Sequence, residues 1–244
     1  MTKIFGHRGA AGTHPENTMI SFQEAERVGA EGIELDVQLS MNDEVVVIHD
    51  ETLDRTTTGT GWVKDHSLKQ IRSYDASYKF PNYGVCKVPS LEEVFSWSQT
   101  NNLIINVELK NSSVPYIGLE DKVIELIRRY HFENRVVISS FNHYSLVKCF
   151  EIAPEIELGV LYSERLFEPW AYAKKIGATS IHPNFRSTSN SIITSSQQNG
   201  IAVRPYTVNK QREMERLLTI NCSAFITDYP EKALALRDKC SLQL

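Results

Sequence analysis

Residues 32–39 read Gly-Ile-Glu-Leu-Asp-Val-Gln-Leu, in which aliphatic and polar side chains alternate strictly. Because successive side chains of a β-strand point to opposite faces, Glu34 and Asp36 would share one face and the aliphatic side chains the other. Residues 103–110 read Leu-Ile-Ile-Asn-Val-Glu-Leu-Lys and repeat the arrangement, with Glu108 in the polar set. Two strands of the same design predict a sheet that carries carboxylates on one face.

Eight short apolar runs alternate with amphipathic helical patterns along the chain. The predicted strands lie near residues 3–7, 32–39, 103–109, 135–140, 156–161, 179–182, 201–206 and 223–227. The predicted helices lie near residues 17–29, 91–101, 116–130, 143–152, 168–175, 190–199, 210–219 and 230–239. This alternation is typical of βα units around a parallel sheet. Because a doubly wound open sheet usually has about six strands, eight units favour an α/β fold of the closed TIM (β/α)₈ barrel type.

One segment, residues 51–89, departs from the alternation. It is polar, rich in Thr, Gly and Tyr, and much longer than the ~2–6 residues of an ordinary βα loop. We interpret it as a small insertion after the second strand that lies over the C-terminal mouth of the barrel. The length of 244 residues suits a single barrel domain that spans residues 1–244.

Composition and charge exclude several classes of function. The formal net charge is −4, the sequence pI is about 6.0, and no basic block is present, so nucleic acid is not an expected partner. Neither a zinc site of the usual spacing nor a disulfide framework is expected from the scattered Cys86, Cys149, Cys222 and Cys240. No export signal is evident, and no run approaches the ~20 apolar residues that cross a bilayer. We therefore expect a cytoplasmic protein without membrane insertion.

The carboxylates of the two alternating strands predict a metal site. Glu34, Asp36 and Glu108 would converge inside the barrel, where interior layers are usually branched aliphatic residues. Unpaired carboxylates are costly to bury, and three of them would also repel one another. A divalent cation resolves both problems, and ligation by oxygen alone favours Mg²⁺ or Ca²⁺. The alternative is an ordinary antiparallel sheet with one solvated face, which the βα alternation disfavours.

Two histidines lie where an acid–base pair would be needed. His7 ends the first predicted strand, and His49 ends the apolar run that follows the second strand. Both would project at the C-terminal mouth, where the active sites of such barrels lie. Because imidazole titrates near neutrality, one could remove a proton while the other supplies one. His182 also ends a predicted strand and is a weaker candidate. A structural role is expected for His14, His66, His131 and His143.

Arg8 and Lys110 place positive charge at the same mouth. Arg suits bidentate contact with phosphate, and Lys acts as a point charge. Alternatively, each pairs with a site carboxylate such as Glu16 and never touches the substrate, and both roles can hold at once. A hard metal, two histidines and two cations together fit phosphoryl chemistry. The sequence contains neither a P-loop nor a nucleophile elbow, which disfavours P-loop triphosphate hydrolysis and an α/β-hydrolase.

Local signals predict where three helices begin. Asn17 could cap the first helix, and Ser90 with Glu93 forms a capping-box pattern at the start of the second predicted helix. Pro230 would lie just inside the last helix, where a missing N–H is harmless.

The sequence is similar to the bacterial glycerophosphodiester phosphodiesterase family of the cytoplasmic type. The matching motifs, in family order, are His7-Arg8-Gly9, Pro15-Glu16-Asn17-Thr18, Glu34-Leu35-Asp36-Val37-Gln38-Leu39, Val47-Ile48-His49-Asp50, Pro89-Ser90-Leu91-Glu92-Glu93, Asn106-Val107-Glu108-Leu109-Lys110, Tyr206-Thr207-Val208-Asn209 and Ile226-Thr227-Asp228-Tyr229-Pro230. They cover essentially the whole chain, and eight motifs in order are far more specific than one.

The resemblance implies a TIM barrel that hydrolyses glycerophosphodiesters, which are deacylated phospholipids, to sn-glycerol 3-phosphate and an alcohol. It implies a divalent metal held by carboxylates, acid–base histidines and phosphate-binding cations, with Glu16 as a neighbour of the basic groups or the metal. The implied residues are Glu34, Asp36 and Glu108 for the metal, His7 and His49 for catalysis, and Arg8 and Lys110 for phosphate. Tyr206 stands where members often carry Trp, which keeps an aromatic wall of the substrate pocket but adds a hydroxyl.

Two other functions use the same residues. A related barrel phosphodiesterase of the phospholipase type would let a neighbouring hydroxyl attack the phosphorus and would release a cyclic phosphate. A non-catalytic barrel would only bind a phosphodiester, although binding alone does not require a matched acid–base pair. The headgroup alcohol, the choice between Mg²⁺ and Ca²⁺, the roles of the two histidines and the oligomeric state stay open at this point.

Overall fold

Eight parallel strands form a nearly closed barrel in the computed structural model, which describes residues 1–241. A ninth strand, β3, pairs antiparallel with β2. The strands are β1 (Lys3–His7), β2 (Gly32–Leu39), β3 (Val45–Val47), β4 (Ile104–Leu109), β5 (Val136–Ser140), β6 (Glu157–Tyr162), β7 (Ser180–Pro183), β8 (Ala202–Val203) and β9 (Ala224–Thr227). The predicted TIM barrel is therefore confirmed.

Helices follow the barrel strands in the order expected of βα units, with the short α2 added in the segment 51–89. They are α1 (Met19–Arg27), α2 (Leu68–Ile71), α3 (Leu91–Ser98), α4 (Leu119–Tyr130), α5 (His143–Ile152), α6 (Pro169–Lys175), α7 (Asn190–Gln198), α8 (Gln211–Thr219) and α9 (Pro230–Ser241). Short 3₁₀ turns occur at Val63–Asp65 and Pro81–Tyr83. No helix among residues 1–241 has the length and apolar character that crossing a membrane requires.

The strand order around the barrel is β8-β7-β6-β5-β4-β2-β1-β9. The ring is completed between the segment after β8 and β9, where the N–H of Ile226 donates to the Pro205 carbonyl at 2.9 Å and the N–H of Val208 donates to the Ile226 carbonyl at 2.8 Å. Because all eight barrel strands run in parallel, their C-terminal ends and the side chains just beyond them meet at one mouth.

Although β2 is buried along its whole length, the alternating direction of the strand side chains separates two apolar layers. The outward-facing aliphatic residues of β2 and β4 lie under the helices in the main core. Phe5, Ala224 and Ile226 fill part of the barrel interior. The polar set of β2 points into that interior instead, as the alternation in the sequence predicts.

The predicted seventh strand unit, residues 201–206, is much shorter in the structure, because β8 covers only Ala202–Val203. Pro205 has no N–H to donate, so the ladder is interrupted there. Pairing resumes beyond it only as an isolated bridge between Asn184 and Tyr206.

The prediction that Asn17 caps the first helix is wrong. The N-cap of α1 is Thr18, which has extended backbone angles and makes no side-chain capping bond. Asn17 has φ of +55°, outside the extended region that an N-cap adopts, and its side chain bonds to Asp36 instead. The capping box of Ser90 and Glu93 is present at α3, and α9 begins at Pro230 as predicted.

Residues 51–89 carry a small apolar cluster of their own, which packs with β3 and includes Leu53, Val63 and Ile71. Two of the contacts that tie this segment to the barrel involve Arg72 and Tyr83. The guanidinium of Arg72 lies 2.8 Å from Glu93 at the start of α3, and the Tyr83 hydroxyl donates to the Thr13 carbonyl at 3.0 Å. The segment thus packs against the βα loop that follows β1.

Candidate active site

Three carboxylates lie together inside the barrel on β2 and β4. Glu34 and Asp36 belong to β2 and Glu108 to β4, and Asp36 and Glu108 occupy paired positions of the two strands. One oxygen from each carboxylate lies within 4.8 Å of the others, and all three residues are buried. The structure therefore brings together the three residues that the sequence analysis selected as metal ligands.

Burial and mutual repulsion act unequally on these carboxylates. Burial raises the pKa of Glu34 well above its usual value, and the charges of Asp36 and Glu108 raise it further. Burial also raises the pKa of Glu108, again with a contribution from Asp36. Burial alone would raise the pKa of Asp36 as well, but the neighbouring cations, Arg8 foremost, lower it to about 2. The negative charges of the three carboxylates are therefore only partly offset by the neighbouring cations.

The donor set of the cluster fits a hard divalent cation. Oδ1 of Asp36 is buried and accepts no hydrogen bond from residues 1–241, and Nζ of Lys110 lies 3.9 Å from it. Carboxylate oxygens are the ligands that Mg²⁺ and Ca²⁺ prefer, and a divalent charge would offset the repulsion within the cluster. Glu34, Asp36 and Glu108 could therefore hold such an ion.

Arg8 borders the cluster directly after β1. Its φ of +50° and that of Gly9, +83°, turn the chain back, and a Cβ on Gly9 would lie only 2.5 Å from Ser21. The N–H of Arg8 donates to Oε2 of Glu34 at 3.0 Å, and its Nη1 donates to Oε1 of Glu16 at 2.6 Å. Arg8 is thus fixed by an acidic partner on the same loop while it stays at the edge of the cluster.

Lys110 lies between the carboxylates and His49. Its Nζ donates to Oε1 of Glu108 at 3.0 Å and is 3.2 Å from Nε2 of His49. Burial alone would lower the pKa of Lys110, but Glu108 and Asp36 outweigh it and raise this pKa. The neighbouring carboxylates therefore favour the protonated form of Lys110.

His7 is held by a carboxylate from the last strand unit. Its Nδ1 lies 2.6 Å from Oδ1 of Asp228, and its Nε2 lies 3.9 Å from Oε2 of Glu34. The amide of Asn209 donates to the other oxygen of Asp228. Although burial opposes ionisation of Asp228, hydrogen bonds from His7 and Asn209 lower its pKa. With Nδ1 occupied, Nε2 is the nitrogen that faces the carboxylate cluster.

His49 is held in the same way by the residue that follows it. Its Nδ1 lies 2.6 Å from Oδ1 of Asp50, and Nε of Arg55 donates to Oδ2 of Asp50 at 2.6 Å. The hydrogen bond from Arg55 is the main reason that the pKa of Asp50 is lowered. Both histidines therefore turn Nε2 toward the interior of the site, which is the geometry that proton transfer to or from a substrate requires.

Tyr206 lies at the rim near β7 and β8. Its ring meets Phe141 edge-on with the centroids 5.9 Å apart, and its hydroxyl donates to the Tyr162 carbonyl at 3.2 Å. The hydroxyl that distinguishes Tyr206 from a tryptophan is therefore bonded to the barrel rim.

His182, the weaker candidate, is not part of this site. It is fully buried in the barrel interior, with Nε2 3.3 Å from the Ser180 hydroxyl and 3.2 Å from Nη1 of Arg204. Ring contacts or hydrogen bonds outside the carboxylate cluster account for His14, His66 and His143, and His131 is the C-cap of α4.

Sequence reasoning assigned no role in the active site to four residues that hold it together. They are Asn17, which donates to Asp36 at 2.8 Å, together with Asp50, Arg55 and Asp228. The place of Asp228 at the mouth could have been predicted, because it directly follows β9 just as Arg8 directly follows β1, and β1 and β9 are paired neighbours. The place of Arg55 could not, because it lies in a segment without periodicity.

A model of the glycerophosphoryl diester phosphodiesterase family matches residues 7–232. The chain is 45% identical to the Bacillus subtilis protein YqiK over 239 residues, which cover 97% of this chain and 98% of that protein. It is 42% identical to the glycerophosphodiester phosphodiesterase of Caldanaerobacter subterraneus subsp. tengcongensis over 236 residues, which cover 96% of this chain and 97% of the relative.

Solved structures agree with the sequence relatives. A phosphodiesterase from Oleispira antarctica, solved with the product sn-glycerol-3-phosphate, superposes with a TM-score of 0.89 at 27% identity, covering 98% of this chain and 97% of the other. A glycerophosphodiester phosphodiesterase from Agrobacterium tumefaciens gives a TM-score of 0.83 at 28% identity, covering 97% of this chain and 99% of the other. The chain therefore belongs to the glycerophosphoryl diester phosphodiesterase family, and the enzyme class predicted from its sequence, a phosphoric diester hydrolase, is confirmed.

Proposed function

We propose that this chain hydrolyses small glycerophosphodiesters to sn-glycerol 3-phosphate and an alcohol, with a divalent metal and an acid–base pair formed by His7 and His49. One observation carries the proposal. Two histidines, each held at Nδ1 by a carboxylate 2.6 Å away, turn Nε2 toward three buried carboxylates that are flanked by two cations. The names of the relatives and the product bound to the Oleispira antarctica enzyme support this substrate class.

Glu34, Asp36 and Glu108 would hold the metal, which is Mg²⁺ or Ca²⁺. When bound, such an ion supplies charge that offsets the negative charge of the phosphoryl oxygens. The clustering of three carboxylates with too few cations supports this role, as does the buried Asp36 oxygen that accepts no hydrogen bond within residues 1–241.

Arg8 and Lys110 would bind the phosphodiester on either side of the carboxylate cluster. Both side chains are partly exposed, Arg8 by 15% and Lys110 by 16%, so each can reach a ligand at the mouth. Glu16 orients the Arg8 guanidinium and lies one contact further from the substrate.

The two histidines would divide the proton transfers. Water adds to phosphorus as the bond to the alcohol oxygen breaks, so one imidazole accepts the proton of the water and the other donates a proton to the leaving alcohol. Asp228 and Asp50 hold the two rings in place through their Nδ1 atoms. A barrel that only binds its ligand would need neither of these pairs.

The test measures release of sn-glycerol 3-phosphate from glycerophosphocholine by the purified protein, coupled to glycerol-3-phosphate dehydrogenase. We expect release that EDTA abolishes and that Mg²⁺ or Ca²⁺ restores. Full activity in the chelator would contradict the metal assignment, and no release from any glycerophosphodiester would contradict the proposed substrate class. Phosphorus-31 NMR of the products identifies a cyclic phosphate if the substrate's own hydroxyl attacks instead of water. The cytoplasmic location stays a prediction, which cell fractionation would test.

A further inference from the structure

Arg55, in the segment 51–89, makes four hydrogen bonds to two carboxylates. Its Nη1 and Nη2 donate to the two oxygens of Glu16 at 2.8 and 2.7 Å. Its Nε and Nη2 donate to the two oxygens of Asp50 at 2.6 and 2.9 Å. A planar guanidinium with this fork of donors matches a carboxylate on each side, so its orientation is fully determined.

Each of the two carboxylates continues to a different group of the active site. Oε1 of Glu16 accepts from Nη1 of Arg8 at 2.6 Å, and Oδ1 of Asp50 lies 2.6 Å from Nδ1 of His49. Arg55 is therefore the branch point of two short hydrogen-bonded chains of side chains. One passes through Glu16 to a phosphate-binding cation, and the other passes through Asp50 to an acid–base histidine.

The charges along these chains show why the branch point matters. Arg8 and Arg55 alternate with Glu16 and Asp50, so that each carboxylate lies against Arg55 and against one site group. Glu16 is only 12% exposed and Asp50 25%, so water can replace the lost donors only in part if Arg55 is removed. Each carboxylate would then be free to rotate and to carry its site group with it.

We propose that Arg55 is a positioning residue that aligns Arg8 and His49 together, so that the inserted segment controls phosphate binding and proton transfer through one side chain. The inference rests on the proposed function, since it assigns Arg8 to binding and His49 to catalysis. It predicts that removing Arg55 has two effects, one on phosphate binding and one on proton transfer. A substitution that interrupts only one of the two hydrogen-bonded chains should separate them.

The first measurement compares kcat and KM for glycerophosphocholine in Arg55→Ala and the unaltered enzyme. We expect kcat to fall by about 10–100-fold, the usual cost of losing a group that orients an active-site ligand, and KM to rise by about tenfold. In an Asp50→Asn background, Arg55→Ala should still raise KM but change kcat by less than about twofold, because the first substitution has already interrupted the hydrogen-bonded chain to His49. In a Glu16→Gln background it should still lower kcat and leave KM unchanged.

Arg72→Ala is the matched control. Arg72 also belongs to the inserted segment and pairs with a barrel carboxylate, Glu93, at 2.8 Å, but neither residue touches the site. We expect kcat and KM of this variant to stay within about twofold of the unaltered enzyme, the scale of a surface ion pair. Arg55→Lys should recover only part of the loss, because one ammonium cannot replace the fork, whereas added guanidinium should restore Arg55→Ala in a saturable manner.

A readout without turnover separates this inference from the proposed function. The ¹⁵N shifts of the His49 ring, identified with His49→Gln, report which nitrogen is protonated and should change in Arg55→Ala but not in Arg72→Ala. If the enzyme releases no glycerol 3-phosphate while these shifts still depend on Arg55, the proposed function fails and the positioning role stands. Unchanged shifts, or equal losses of kcat and KM in every background, would overturn the inference.

Discussion

Nδ1 of His7 lies 2.6 Å from Oδ1 of Asp228, although the two residues are 221 positions apart along the chain. The pairing of β1 with β9 brings them together. Gly6 is in register with Thr227, and the residue after each of them, His7 on one side and Asp228 on the other, points to the mouth. The last strand of the barrel thus orients a residue of the first.

This contact predicts that Asp228→Asn lowers kcat by about 10²–10⁴-fold, the range that general acid–base catalysis contributes. An amide at this position can accept at only one atom and no longer favours the imidazole orientation that turns Nε2 toward the site. The measurement is kcat on glycerophosphocholine, with the unfolding temperature as a check on the fold. Asp238→Asn, on the exposed face of α9, is the control, and a kcat for Asp228→Asn equal to that of this control would exclude the orienting role.

The carboxylate cluster could be predicted from sequence because a strand imposes a period of two on its side chains. Glu34 and Asp36 follow that period on β2, and Glu108 follows it on β4, so their convergence required only the correct fold. The barrel strands were predicted within a residue or so except at β8, where Pro205 interrupts the ladder, and the short antiparallel β3 was not predicted as a strand.

The residues that orient the site could not be predicted in this way. Asn17 owes its contact with Asp36 to a left-handed backbone at φ +55°, and a turn of this kind leaves no periodic trace in sequence. Arg55 bonds to Glu16, 39 residues before it, from a segment whose path has no regular repeat. Strand periodicity therefore predicts which groups face the interior, while loop geometry decides which partners hold them.

A second prediction concerns the two histidines as a unit. His7→Ala and His49→Ala should each reduce kcat by about 10²–10⁴-fold. The double variant should have a kcat only slightly below that of the less active single variant, because the effects of substituting residues of one catalytic unit do not add. His66→Ala is the control, since the His66 ring bonds to the Trp62 carbonyl, away from the site. Glycerol 3-phosphate release in the four proteins is the measurement. Turnover that survives in His7→Ala would refute the acid–base assignment.

A third prediction concerns stability in acid. Burial lowers the pKa of His182 well below its usual value, and the charge of Arg204 lowers it further. Below about pH 6.5 the unfolded chain binds a proton at this residue while the folded chain does not, so the free energy of unfolding falls by up to about 1.4 kcal/mol per pH unit as the pH decreases. Above that pH both states are neutral and the effect vanishes.

His182→Gln should remove this contribution, because an amide does not titrate. Urea unfolding from about pH 5 to pH 7, the range around the ordinary histidine pKa, measures the slope. The slope for His182→Gln should be shallower than that of the unaltered protein. Identical slopes for the two proteins would show that the buried ring does become protonated in the fold.

The last prediction sets stability against metal binding at Glu34. A carboxyl whose pKa is raised by folding destabilises the folded state at neutral pH, and burial and the charges of Asp36 and Glu108 raise that of Glu34. In chelator, Glu34→Gln should therefore unfold at a higher temperature than the unaltered protein, by about 2–4 °C for each kcal/mol relieved in a chain of this size. Adding Mg²⁺ or Ca²⁺ at about 100 times its dissociation constant should stabilise the unaltered protein by about 2.7 kcal/mol and the variant far less.

Glu44→Gln, at an exposed position, is the control and should behave as the unaltered protein does in both conditions. If Glu34→Gln unfolds at the lower temperature in chelator, the three carboxylates do not repel one another as the structure indicates, and the case for a cation among them is lost.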